Sequence, residues 1–207
     1  GAFGLPHDAA MTLEVRSVTK RFGDLVANEA VSLSVEHGAL HAVLGENGAG
    51  KSTLMKILSG FQPADGGEVH LDGVRLDLGS ARAAVAAGIG MLHQDPLVVL
   101  PFTVLENFLF GRSLRRADAR SRLASLAGRL GFDLHPDRST ATLSVGERQQ
   151  LEIVRLLSLG VRVLILDEPT SGISTGQREA LFGALRSLAA EGLIVLFVSH
   201  KLEEVVE

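Results

Sequence analysis

Residues 45–53 read Gly-Glu-Asn-Gly-Ala-Gly-Lys-Ser-Thr, and no other stretch restricts the fold of this chain so tightly. The pattern is G-x-x-x-x-G-K-[ST], a loop that wraps its backbone N–H groups around phosphate oxygens. It needs a strand before it and a helix after it, because the N-terminal end of that helix aims at the same anion. Both are predicted. The apolar run Leu40–Leu44 leads in, Lys51–Leu58 leads out as a helix, and Gly60 is placed to end that helix. Gly45, Glu46, Asn47, Gly48, Ala49, Gly50, Lys51, Ser52 and Thr53 are therefore the expected nucleotide-binding residues. Lys51 is expected to reach the β- and γ-phosphates of ATP, and the Ser52 hydroxyl to ligate Mg²⁺.

A second segment supplies carboxylates. Val163–Leu166 is wholly apolar and is followed by Asp167 and Glu168. A buried strand ending in two acids places them at the sheet edge where ligands bind. Asp167 can hold Mg²⁺ directly or through water, and Glu168 can take a proton from an attacking water. Alone, this pattern is better read as an ordinary strand running into an acidic turn. Beside a phosphate loop the catalytic reading is preferred.

Short apolar runs alternate with helical patterns, which predicts an α/β layer fold. Expected strands are Leu13–Val18, Val31–Val35, Leu40–Leu44, Glu68–Leu71, Gly90–His93, Val163–Leu166 and Ile194–Val198. The last two have the continuous apolar character of parallel strands covered on both faces. Helices are expected to begin near Gly50, Ser80, Arg116, Ser144 and Thr175. The stretch from about Thr103 to Leu159 reads as nearly all helical, an insert in the α/β alternation. Residues 1–10 read as a leader and 11–207 as one domain.

Composition narrows the partners. The net charge of −4 argues against a nucleic-acid backbone as the main partner. The chain has no cysteine, so disulfides and cysteine-bound metals are excluded. Apolar runs such as Leu193–Val198 are strand-sized, far below the roughly 20 residues of a spanning helix, so any membrane link is expected to run through a partner.

Residues between and around the two motifs carry a resemblance to a family. Leu143-Ser144-Val145-Gly146-Glu147 is similar to the LSGGQ signature of ABC ATP-binding domains and lies shortly before the Asp167–Glu168 strand, as in that family. Gln94 resembles the family's Q-loop glutamine, His200 its switch histidine, and Phe22 the aromatic that stacks on adenine. The five elements follow the family's order from about Leu13 to Glu207. Ser144-Val145-Gly146-Glu147 is also a capping box, and the two readings are compatible.

The resemblance implies a P-loop fold with a mainly parallel core sheet, an antiparallel β subdomain and a helical subdomain. It implies that two such domains face head to tail. Ser144 and Gly146 of one would then close over ATP held by Lys51, Ser52 and Asp167 of the other. It also implies that Gln94 contacts Mg²⁺ and the lytic water, that His200 contacts the γ-phosphate, and that Glu168 is the base. The implied partners are transmembrane permease subunits, a second ABC domain and, indirectly, a solute-binding protein.

The chain departs from the pattern at Val145, Glu147 and Ser174; the family usually has aspartate at the last. The LSVG form is similar to that of importers for simple sugars and nucleosides. The alternative is a soluble ABC ATPase acting in translation or nucleic-acid metabolism. Negative charge, the LSVG form and the short gap from Gln94 to Leu143 disfavour it. The chain stops seven residues after His200, which reads as a domain without its usual C-terminal end, as in the first half of a tandem protein. Finally, Asp95–Phe102 is apolar for a loop, and is expected either to pack in the core or to dock a membrane partner.

Overall fold

The computed structural model describes residues 12–38, 40–46 and 48–199. Asn47 and His200, expected at the phosphates, lie outside the described residues.

Two sheets form. The first is antiparallel, in the order β2-β1-β4-β5. Its strands are β1 (Thr12–Phe22), β2 (Leu25–Glu36), β4 (Gly66–Leu71) and β5 (Val74–Arg75). The second is parallel, in the order β3-β8-β7-β6, from β3 (Leu40–Leu44), β8 (Ile194–Ser199), β7 (Val163–Asp167) and β6 (Ile89–Leu92). The helices are α1 (Lys51–Leu58), α2 (Ala81–Ala86), α3 (Val104–Leu109), α4 (Arg116–Arg129), α5 (Val145–Ser158) and α6 (Thr175–Ala190).

The apolar character of β7 and β8 follows from their position between two cores. Side chains alternate across a strand. Val163 and Ile165 of β7, with Ile194, Leu196 and Val198 of β8, pack with Leu54, Met55 and Leu58 of α1. Leu164, Leu166, Val195 and Phe197 point the other way, to Leu151, Val154 and Leu185 of α5 and α6. Burying each such side chain stabilises the fold by about 1.5–3 kcal/mol.

Three expectations need correction. Residues 103–159 are not nearly all helix. The structure forms α3, α4, a 3₁₀ turn at Thr140–Thr142 and α5, with loops between them. Gly111 (φ 75°) and Gly131 (φ 70°) sit in left-handed turns that stop the preceding helices, and Pro136 lies in the loop before the 3₁₀ turn. The strand expected at Gly90–His93 is Ile89–Leu92, because the ladder with β7 runs from Ile89–Val163 to Leu92–Leu166 and leaves His93 beyond it. β1 and β2 are longer than expected. Much of both strands is exposed, so no apolar run marks their full extent, and β1 changes register near Ser17 (φ 52°).

Candidate nucleotide site

Parallel strands bring their C-terminal ends to one edge. β3 ends in the loop of residues 45–50, β7 in Asp167 and Glu168, and β6 in the loop that carries Gln94. Residues far apart in sequence therefore converge by topology alone.

The loop after β3 takes shape through its glycines. Gly48 (φ 84°) and Gly50 (φ 81°) are left-handed. A side chain at Gly50 would put its Cβ 2.1 Å from the Ala27 carbonyl oxygen and 2.8 Å from Asn28 Nδ2, so only glycine fits against β2. The buried Asn28 amide also donates to the Gly50 carbonyl at 3.2 Å. Lys51 reaches back over the loop, its Nζ donating to the carbonyls of Gly45 (2.6 Å) and Glu46 (2.8 Å). That pose hangs a positive charge over backbone whose N–H groups suit an anion.

At the next residue of α1, Ser52 Oγ donates to Asp167 Oδ1 at 3.1 Å. Hydroxyl and carboxylate are hard oxygen donors of the kind Mg²⁺ prefers, and they come from the two motifs that nucleotide chemistry requires. Glu168 follows Asp167 with φ 47°, in the left-handed region that costs a side-chain residue about 1–2 kcal/mol. Its backbone is fixed there, with its N–H donating to the Val198 carbonyl at 3.1 Å and its carbonyl accepting from Ser171 N–H at 3.1 Å. Strain held in place by surrounding bonds is a feature of functional sites.

A cleft of about 300 Å³ is lined by Phe22, Leu25, Val26, Ala27, residues 48–53 and Glu168. The structure thus gathers Phe22, Gly48, Ala49, Gly50, Lys51, Ser52, Thr53 and Glu168 around one space. Phe22 closes the apolar end of the cleft, 44% exposed, with the Lys20 ammonium 5.5 Å above its ring. Leu25, Val26 and Ala27 also line the cleft, and no motif in the sequence singles them out. The short apolar run that follows Gly23-Asp24 is the available signal.

Gln94, Ser144 and Gly146 do not line this cleft. Gln94 is exposed on the loop leaving β6. Its neighbour His93 packs edge-on to Phe61 at 4.4 Å between ring centres. Burial pushes the His93 imidazole below its ordinary value, partly opposed by the Asp167 carboxylate. Ser144 caps α5 in the capping box that the sequence predicts, accepting from Glu147 N–H at 3.2 Å, while Glu147 accepts from Ser144 N–H at 2.7 Å. Burial works against the Glu147 charge, yet the Ser144 N–H and the Arg138 guanidinium outweigh it and hold the carboxyl below its ordinary value. Ser174 likewise caps α6 and bonds reciprocally with Gln177. That capping role is what the serine does in place of the family's aspartate.

The loop of residues 95–102 is tethered rather than buried. Leu97 N–H donates to Glu152 Oε2 at 2.9 Å, and Asn107 holds Val99 through both its N–H and its carbonyl. Val98 packs on the core, whereas Leu97 is 53% and Leu100 44% exposed. Burial pushes the Glu152 carboxyl up to about 7.

Comparison with known proteins agrees with this geometry. The family described as ABC transporter matches residues 28–171. The ribose import ATP-binding protein of Burkholderia ambifaria is 43% identical, covering 94% of this chain and 40% of that protein. The nucleoside import ATP-binding protein of Lactococcus lactis subsp. cremoris is 40% identical over 93% of this chain and 39% of that protein. The chain thus spans about two fifths of the length of the curated relatives it matches. Among solved structures, the ADP conformation of an ATP-binding cassette of an ABC transporter superposes with a TM-score of 0.82 at 28% identity, over 95% of this chain and 84% of that one. CbiO1 from Clostridium perfringens, part of an ABC transporter complex, gives a TM-score of 0.80 at 26% identity, over 93% of this chain and 80% of that one.

Proposed function

The chain belongs to the ABC transporter family, and we propose that it is the ATP-binding and ATP-hydrolysing part of an importer for a simple sugar or a nucleoside. The observation that carries this reading is the convergence of Lys51, Ser52, Asp167 and Glu168 at one sheet edge, two of them joined by a 3.1 Å hydrogen bond.

In this reading the loop of residues 45–53 cradles the ATP phosphates and Lys51 offsets their charge. Phe22 offers its ring to the adenine. Ser52 and Asp167 would hold Mg²⁺, with Gln94 as the third residue assigned to the metal. Mg²⁺ supplies charge neutralisation on the β- and γ-phosphates. Glu168 accepts a proton from the attacking water, its backbone held in the left-handed conformation described above. Ser144 and Gly146 act on nucleotide held by a second ABC domain, closing over its phosphates.

The domain works peripherally at the cytoplasmic face of a membrane. Among the described residues no helix is long and apolar enough to cross a membrane. Permease subunits provide the path, and Leu97 and Leu100 provide apolar contact for them. The relatives named above for ribose and nucleoside import support a solute of that chemistry.

Reconstitution of the intact protein with its membrane subunits in proteoliposomes tests this. ATP-driven uptake of labelled ribose or nucleoside, abolished by Glu168→Gln, is expected. Robust ATP hydrolysis without any solute movement across a panel of sugars and nucleosides would contradict the importer assignment.

A further inference from the structure

The ends of α5 and α6 meet at a single side chain. Gln177 lies three residues into α6 and faces two serines at once. Its Oε1 accepts from Ser174 N–H at 3.1 Å, and its Nε2 donates to Ser144 Oγ at 2.8 Å. The direction of this amide is fixed by chemistry. Ser174 N–H can only donate, so the amide atom facing it must be oxygen, and the nitrogen must face Ser144. Ser144 Oγ also accepts from Glu147 N–H, another obligate donor, at 3.2 Å. A hydroxyl has two acceptor positions and one hydrogen. With both acceptor positions filled, the exposed Ser144 hydroxyl has only its hydrogen left to offer.

Gly146 makes the arrangement possible. A Cβ there would lie 2.9 Å from Gln177 Cδ and 2.9 Å from its Nε2. The missing side chain at Gly146 is the space in which the Gln177 amide lies. Ser144, Gly146, Ser174 and Gln177 thus form one unit joining the caps of two helices.

We propose that Gln177 is a positioning residue for phosphate recognition, locking the Ser144 hydroxyl as a hydrogen-bond donor toward an incoming phosphate oxygen. A serine free to rotate could present a lone pair and repel that oxygen. Gln177 removes the option before nucleotide arrives. Because the same amide bonds Ser174, displacement of the loop before α6 is passed to Ser144 through one side chain. The proposal rests on the reading that Ser144 meets nucleotide held by a second domain.

Two substitutions of nearly equal volume separate the possibilities. Gln177→Glu keeps the acceptor for Ser174 N–H but cannot donate to Ser144. It would accept the Ser144 hydrogen instead and turn a lone pair outward. Gln177→Met removes both bonds without adding charge. In the intact ATPase, kcat/KM for ATP is expected to fall by about 10-fold or more in Gln177→Glu and by about 3- to 10-fold in Gln177→Met. The decisive readout is a double-mutant cycle of Ser144→Ala with Gln177→Met. If Gln177 acts through Ser144, the double variant is no slower than Ser144→Ala alone. Losses that multiply, or a Gln177→Glu enzyme with parental kcat/KM, overturn the proposal. If Ser144→Ala slows turnover while neither Gln177 variant does, the positioning role fails and the role of Ser144 stands. If Ser144→Ala itself has no effect, both fail.

Discussion

Ser52 Oγ lies 3.1 Å from Asp167 Oδ1, although the two residues are 115 positions apart in the chain. The contact joins the first turn of α1 to the end of β7, across a sheet in which β8 separates β3 from β7. Removing either oxygen should weaken Mg²⁺·ATP while leaving the metal-free nucleotide less affected. For Asp167→Asn, titration calorimetry with ATP in Mg²⁺ and in EDTA should show the loss confined to the metal-containing arm. Equal losses in both would assign Asp167 a purely structural role.

Glu168→Gln should preserve nucleotide binding and slow hydrolysis by about 100-fold or more, the usual scale of general-base catalysis. Single-turnover hydrolysis of radiolabelled ATP is the check. A variant turning over at the parental rate would remove Glu168 from the chemistry.

Gly50→Ala should destabilise the domain by at least about 2 kcal/mol, since backbone rather than a flexible side chain obstructs the new Cβ. Thermal unfolding of the two proteins under one condition reads this directly. An unchanged midpoint would mean that β2 does not press on the loop as described.

Glu152 gives stability a pH dependence of defined sign. Its carboxyl titrates near 7 when folded, against about 4.3 in an unfolded chain. Between those values the folded state binds more protons, so this group's contribution falls as pH rises from about 4.5 to 7. Glu152→Gln should remove that slope and stabilise the domain above pH 7, by on the order of 3 kcal/mol. Parallel melting curves for parent and variant from pH 5 to pH 8 would contradict the account.

How far the sequence discloses this molecule depends on what each feature needs. The phosphate loop, Asp167 and Glu168 are legible because their chemistry is written in consecutive residues between apolar strands. β7 and β8 are legible because both faces are buried, leaving no polar position in Leu164–Leu166 or Ile194–Val198. The far ends of β1 and β2 are not, since their side chains stay exposed and the ladder is held by backbone pairing. α3 is six residues with a capping box, too short for periodicity to reveal. Asn28 and Gln177 are invisible for a different reason. Each acts on a residue brought near only by the fold, Gly50 in one case and Ser144 in the other. Gln177 does leave one trace, the Ser-x-x-Gln capping pattern from Ser174, but nothing local names Ser144 as its second partner.

The exposed pair Leu97 and Leu100 should become covered on assembly. A Leu97→Cys variant should crosslink to a membrane subunit in the assembled transporter. No crosslink from a variant with normal coupling of ATPase to transport would place the contact elsewhere.

In the function proposed above, Mg²⁺·ATP binds in this cleft through Lys51, whose ammonium already stands over the loop carbonyls of Gly45 and Glu46. Calorimetric titration of Mg²⁺·ATP into the intact protein and its Lys51→Ala variant tests it most directly. The parent should bind saturably and the variant with an affinity at least about 10-fold weaker, as expected for loss of a charge-assisted phosphate contact. Equal affinities, or no binding by the parent, would contradict it.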